Sequence, residues 1–328
     1  MDSKQHILSK DPSTPKPDLS VSFVNYNSTE FLIRCLESIN KHSNGLTVEI
    51  LVADNASVDF DPKQIYRIFP KAIITTNEDN KGFAYAQNQN FALSKAEIFL
   101  LLNPDTIVTG GVFQSILATF KRFHAVAIVG ANLLSPDGGN LASVKHFPTV
   151  RSALFELLFF DMIIPKSNLS DLIPATVDFQ YVQCITGAAF AVRSHVYRSL
   201  GGLDSRFFMY FEEVDFCKRI TETLHQEIVL LPHVKVIHYH GRSSIQTDAR
   251  QTAYYESYYL YFKKHYGLLT SFLIRDFIIL NTIARILGIQ IKYFPFAKGW
   301  KKYSLKMRST LRLLLWAVGL RQSSRDFS

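Results

Sequence analysis

From residue 20 to about 130 the chain alternates short apolar runs with segments whose apolar residues recur every three or four positions. Residues 20–26 (SVSFVNY) have the length and the β-branched, aromatic character of a buried strand. Ser28 then stands as an N-cap before Leu32, Cys35, Leu36 and Ile39, whose spacing lines one face of a helix. Residues 48–52, 72–76, 98–102 and 126–129 extend the strand series, with helical patterns over 82–93 and 111–123. Strands separated by helices predict an α/β fold with a mostly parallel central sheet flanked by helices. Ligands of such sheets lie beyond the carboxyl ends of the strands. Residues 25–27, 54–57 and 103–106 are polar turns that each follow an apolar strand, so they share that rim.

Composition narrows the class. The 328 residues are 47% hydrophobic and 20% charged, which excludes a disordered chain, a collagen-like repeat and a disulfide scaffold. Cys35, Cys184 and Cys217 are scattered without CxxC spacing and read as reduced thiols of a cytosolic protein. Of the net charge of +8, residues 268–328 carry +9 (eleven Lys/Arg against two Asp/Glu) and the preceding 267 residues carry −1. A nucleic-acid binder would spread its basic face over the folded body, so none is expected here. Residues 1–18 are polar, hold three prolines and lack an apolar h-region; they read as a mobile leader, not an export signal. Residues 268–291 are rich in Leu and Ile but are interrupted by Arg275, Asp276, Asn281, Arg285 and Gln290. Charges at the centre of a spanning helix cost about 2.5–3.5 kcal/mol each, which disfavours a transmembrane segment. An apolar stripe beside the basic run 298–312, repeated at 311–320, suits an anionic membrane surface. Amphipathic helices packing on the protein's own core would show the same pattern.

Three places offer chemistry. Asp105 follows Pro104 at the end of a strand (LLLNPDT), where a hard oxygen ligand could hold Mg²⁺ or Mn²⁺ against a diphosphate. It could equally cap a helix that begins near Gly110. Glu212, Glu213 and Asp215 fall within four residues amid aromatic neighbours (FFMYFEEVDFCKR), an arrangement that raises carboxylate pKa values and suits a general base. Macrodipole compensation at a helix start is the alternative, with Val214, Phe216 and Ile220 as that helix's buried side. His233, His238 and His240 lie on or after a strand at 234–239, and His238 and His240 point to one face. There is no GxGxxG after the first strand and no GxxxxGK[ST], HExxH or GxSxG anywhere.

VSFVNYN, ADNAS, NKGFAYAQN, LLLNPDT, CITGAAFAVR, GGLDSRFFMYFEEVDFCKR and VIHYHGRSS occur in the order found in glycosyltransferase family 2. Over residues 20–265 the chain resembles the rhamnosyltransferase-like branch that builds bacterial surface polysaccharides. The resemblance implies a GT-A fold over 19–267, with a nucleotide-binding half (about 19–130), an acceptor half (about 131–267) and a membrane-associating helical tail over 268–328. It implies an inverting, Mg²⁺- or Mn²⁺-dependent transferase. Asp54, Asn25 and Asn27 would meet the nucleotide, and Lys81 and Gly82 would lie in the loop that approaches the sugar-nucleotide. Asp105 stands where the family's DxD motif ends, with Asn103 replacing its first aspartate, and His238 would add a metal ligand. Glu213 takes the position of the catalytic base, a departure from the usual aspartate. Its extra methylene shifts the carboxylate by about one bond length, and misplacements of that order cost about 10²-fold in rate. Glu212 and Asp215 are neighbours that would share its role.

The function implied is transfer of rhamnose from dTDP-rhamnose to a hydroxyl of a polyprenyl-diphosphate-linked glycan, in the cytoplasm at the inner face of the cytoplasmic membrane. Gly187 and Ala188, without bulk, would leave room for the acceptor. A UDP-hexose or UDP-HexNAc donor, and a catalytically dead relative that serves as a membrane-bound assembly partner, are the alternatives. A nucleotidyltransferase would need a Gly-rich basic N-terminal loop, which this sequence lacks.

Overall fold

The computed structural model describes residues 16–58, 60–158, 169–239, 247–293 and 300–319. Its first half is a parallel sheet. β1 (Leu19–Asn25) pairs with β2 (Val48–Asp54) and β4 (Ile98–Leu102), and β2 pairs with β3 (Ile73–Thr76), all in parallel. The crossovers carry α1 (Thr29–His42), α2 (Pro62–Ile68) and α3 (Phe83–Leu93), so the four strands end on one rim. Ser28 precedes α1, but its hydroxyl donates to the Tyr26 carbonyl at 3.0 Å and does not cap the helix.

Beyond β4 the sheet is mixed, which corrects the expectation of a mostly parallel one. β10 (Ala189–Arg193) lies antiparallel between β4 and β6 (Val126–Leu134). β11 (Glu227–His238) runs parallel to β6 and antiparallel to β5 (Thr106–Val108) and β8 (Gln180–Tyr181). The order is β3-β2-β1-β4-β10-β6-β11-β5, with β8 beside β11. β10 is buried on both faces, which demands a central place. Its direction follows from how the chain reaches it, out of the antiparallel pair β7 (Val144–Lys145) and β9 (Cys184–Ile185).

Period-two alternation divides the core. Phe99, Leu101, Phe190 and Val192 face a layer formed by α3, α5 (Val150–Leu158), α6 (Ser194–Ser199), α7 (Glu212–Arg219), α8 (Thr247–Tyr293) and α9 (Trp300–Ala317). Ile98, Leu100, Leu102, Ala189 and Ala191 face α1, α2 and α4 (Val112–Arg122). α8 bends at Gly267, whose φ of +86° a side chain would resist. Past the bend, Ile274 and Ile278, with Leu313 and Ala317 of α9, are buried in the first core layer. The tail therefore packs on the body along one face. Leu269, Leu280, Ile283 and Leu287 lie exposed on it. No described helix is long and apolar enough to cross a membrane. Most of the leader, residues 1–15, lies outside the described residues. All three cysteines are free and buried.

A buried ion cluster fastens α7 to α8. Asp215 is fully buried and accepts from Arg219 Nε at 2.8 Å, Lys264 Nζ at 2.6 Å and His265 Nε2 at 2.8 Å. Burial works to raise its pKa, but His265, Arg219 and Lys264 together bring it below the ordinary aspartate value. Asp215→Ala removes the buried carboxylate that Arg219 and Lys264 share and is expected to cost about 3 kcal/mol in urea unfolding at pH 7. A carboxylate ionised more easily in the fold than in the unfolded chain stabilises above the unfolded pKa. The gap between wild type and variant should therefore close as pH falls through the folded value.

Candidate active site

The parallel register sets Asn25 beside Asp54 at the rim. Asn25 Nδ2 donates to Asp54 Oδ1 at 2.7 Å, while Asp54 accepts from the Ser57 amide at 3.0 Å and the Ser57 hydroxyl at 2.6 Å. Both residues are buried, and Asn25 Oδ1 has no hydrogen-bond partner. Asn27, at φ +49°, accepts from the Val58 amide and donates its own amide to Ser57 Oγ, each at 2.8 Å. Sequence reasoning missed the asparagines that bind this turn to the next loop. Asn55 donates to Asn80 Oδ1 at 3.1 Å and to the Gly82 carbonyl at 3.3 Å, and it accepts from Asn77 Nδ2 at 2.8 Å. Their only signal was an asparagine in each polar turn. Lys81 pairs with Asp79 at 2.6 Å.

Gly82 joins this rim to the second half of the chain. Its φ is +86°, and a Cβ there would sit 2.5 Å from the Phe208 carbonyl oxygen. The same oxygen accepts from the Phe83 amide at 2.8 Å. Only glycine fits this backbone shape and this approach.

β5 begins at Thr106, so Asp105 leads into a strand and not a helix; the capping alternative does not hold. β5 pairs with β11 in the register Thr106↔His238, and the Tyr239 amide donates to the Asp105 carbonyl at 2.9 Å. That pairing brings His238 Nε2 to 3.1 Å from Asp105 Oδ1, with both residues buried. Asn103, on the same turn, donates its amide to the Ala188 carbonyl at 2.9 Å. His233 falls inside β11 and is exposed, and His240 lies outside the described residues. No group of three or more His, Cys, Asp or Glu gathers at a metal-binding distance among the described residues. One carboxylate and one imidazole fit a divalent cation that takes its other ligands from water and a substrate phosphate; they do not form a closed structural site.

α7 opens after Tyr210 and Phe211, both at positive φ (+72° and +65°), a strained entry of the kind found at functional sites. The sequence predicted one buried side for this helix, whereas all six residues from 212 to 217 are buried. Carboxylates on its inward turns therefore had to find partners inside the protein. Glu213 Oε1 accepts from Lys145 Nζ at 2.5 Å, but Glu213 Oε2 and Glu212 Oε2 are buried without partners. Burial, and then the charge of Glu213, push the Glu212 carboxyl well above the usual range. Gly187 lies against this side chain, since a Cβ on it would stand in van der Waals contact at 3.7 Å from Glu213 Cβ. Asp105, Asn103, Ala188, Gly187 and Glu213 thus form one continuous path, while Asp215 is turned into its ion cluster. Lys145, an isolated lysine in a two-residue strand, gave no signal in the sequence.

The sequence model of Glycosyl transferase family 2 matches residues 20–199. This chain belongs to glycosyl transferase family 2. The match runs from β1 through α6, covering the rim and Asp105 and stopping short of the carboxylates on α7. Among characterised family relatives, the N-acetylglucosaminyl-diphospho-decaprenol L-rhamnosyltransferase of Mycobacterium tuberculosis is 24% identical over 265 residues, covering 74% of this chain and 83% of that one. In fold, the chain is similar to a Pyrobaculum calidifontis mannosyltransferase in complex with GDP-Man and Mn²⁺ (TM-score 0.52, 15% identity, 92% of this chain and 88% of that one). It is also similar to GalNAc-T7 with UDP, GalNAc and Mn²⁺ (TM-score 0.54, 15% identity, 68% of this chain), of which it spans 43%. The family 2 chain thus has a GT-A-like α/β fold with a mixed central sheet. Gly82→Ala should destabilise it by about 1–3 kcal/mol in thermal unfolding, because the added methyl meets a backbone carbonyl in a glycine-only conformation.

Proposed function

We propose that this protein is an inverting glycosyltransferase that moves rhamnose from dTDP-rhamnose to a hydroxyl of a polyprenyl-diphosphate-linked glycan in cell-surface polysaccharide synthesis. The observation that carries the reading is Glu213, a buried carboxylate with one free oxygen at the end of a path that starts at Asp105. The Mycobacterium tuberculosis relative supports the sugar and the kind of acceptor. Asn25, Asn27 and Asp54 hold the nucleotide, and the loop with Lys81 and Gly82 approaches the sugar-nucleotide. Asn103 and Asp105 face the diphosphate. Asp105 and His238 hold Mg²⁺ or Mn²⁺, which when bound offsets the charge of the leaving diphosphate.

Glu213 Oε2 accepts the proton of the acceptor hydroxyl as that oxygen attacks the anomeric carbon from the side opposite the diphosphate. The new glycosidic bond forms as the bond to the diphosphate oxygen breaks, which inverts the anomeric centre. Glu212 stays protonated beside the base, and Asp215 fixes the helix that carries both. Gly187 and Ala188 leave room for the acceptor. The exposed stripe of Leu269, Leu280, Ile283 and Leu287 on α8, together with the exposed basic residues Lys306 and Arg308 of α9, rests the protein on the anionic inner face of the cytoplasmic membrane.

Release of nucleoside diphosphate from a panel of dTDP- and UDP-sugars, with a polyprenyl-diphosphate glycan and with or without Mn²⁺, tests this reading. Turnover should follow dTDP-rhamnose and require metal. Asp105→Ala should abolish it, and Glu213→Gln should slow it by about 10²–10⁴-fold. Preference for a UDP-hexose would reassign the donor, and full activity in Glu213→Gln would remove the base. Flotation with phosphatidylglycerol vesicles should recover wild type but not the Leu280→Glu, Ile283→Glu double variant. Equal recovery of both would count against membrane docking through α8.

A further inference from the structure

A single short strand pair delivers two residues to Glu213 from the same side. Lys145 on β7 lies opposite Cys184 on β9, and the chain leaves β9 through Thr186 to Gly187. The Thr186 amide donates to the Ser143 carbonyl at 2.9 Å, and the Ser143 amide donates to Ser170 Oγ at 2.9 Å, which hold the pair in place. Lys145 then reaches one oxygen of Glu213 at 2.5 Å, and Gly187 stands bare beside the stem of the same side chain. An ion pair in this place is not needed to hold the helix, because Asp215 already fastens α7 to α8.

We propose that Lys145 is a positioning residue for transfer: its ammonium sits on Oε1, where an opposite charge in contact favours the charged carboxylate, and leaves Oε2 as the oxygen presented to the acceptor hydroxyl. The inference rests on the reading of Glu213 as the base. The groups around Glu213 agree with it. Two adjacent carboxylates meet one cation, and Glu212, raised by burial and by the charge of Glu213, is the member that keeps its proton. Tyr210 from the preceding turn and Cys184 from β9, its thiol against Cys217, are both raised by burial and contribute no charge at neutral pH. Burial is the largest influence on Lys145 and opposes its charge, but the charge and hydrogen bond of Glu213, with Cys184 and Glu212, together raise the ammonium pKa. In Lys145→Met, Glu213 would face Glu212 with no cation in contact.

Carboxyl ¹³C-NMR of the full chain labelled at glutamate reads this without turnover, with the Glu213 signal assigned by its loss in Glu213→Gln. Lys145→Met should move the midpoint of Glu213 protonation up by about one to three pH units, the span expected when an opposite charge in contact is lost. Lys145→Arg, which keeps the cation, should restore most of the difference. Lys145→Gln repeats the measurement with a polar side chain if Met perturbs the fold. In nucleoside diphosphate release, the acidic limb of kcat/KM should move by the same amount. At pH 7, kcat should fall about tenfold or more while the KM for donor is unchanged. A Glu213 midpoint that stays put in both neutral variants overturns the proposal. A shifted midpoint with full activity in Glu213→Gln upholds the Lys145–Glu213 coupling, and it removes Glu213 as the base and with it Lys145's role in transfer.

Discussion

The antiparallel seat of β10 between β4 and β6 is the constraint on which the site depends. Four parallel strands alone would give a rim of polar turns with nothing opposite. Once β10 enters the sheet, Ala188 is bonded to the Asn103 backbone and Gly187 lies against Glu213. The two halves of the chain then meet along a line of backbone contacts, which side-chain repacking does not easily displace. β11 repeats the device at the far edge, where its pairing with β5 sets His238 beside Asp105.

Within the acidic turn, environment divides residues that look alike. Asp215 has two cationic partners and a histidine and is a structural anchor, Glu213 has one cation, and the free oxygen of Glu212 has no partner. Burial and the neighbouring charge of Glu213 raise the Glu212 carboxyl, whereas the partners around Asp215 bring its carboxyl down. Three acids in four residues thus have three different surroundings, set by which elements happen to pass them. The left-handed residues Tyr210 and Phe211 hold this turn in a shape that a relaxed backbone would leave.

Much of the strand-end rim was legible because its signals are local. Each strand of the series is a short apolar run followed by a polar turn, and a parallel order places those turns together. Even so, Asn55, Asn77 and Asn80 were passed over, since an asparagine in a loop reads as a turn former until its partners are known. The mixed order of the sheet was not legible: a run such as AFAVR is buried on both faces whichever way it points. Lys145 was invisible for a similar reason, because it comes to Glu213 through a two-residue strand pair that joins segments 40 residues apart. Burial of α7 on every side escaped notice because the helix periodicity of Val214, Phe216 and Ile220 already accounted for one face.

The close approach of Gly82 to Phe208 has a thermodynamic consequence. One carbonyl oxygen ends the loop that follows Asn80 and also belongs to the turn that leads into the strained entry of α7. Neither segment can shift without changing the hydrogen bond between Phe83 and Phe208. Binding energy spent on ordering the loop is therefore felt at the turn, and by linkage any ligand that orders the turn repays the loop to the same extent. The two halves of this chain share one mechanical junction, and order gained by either is conditional on the other.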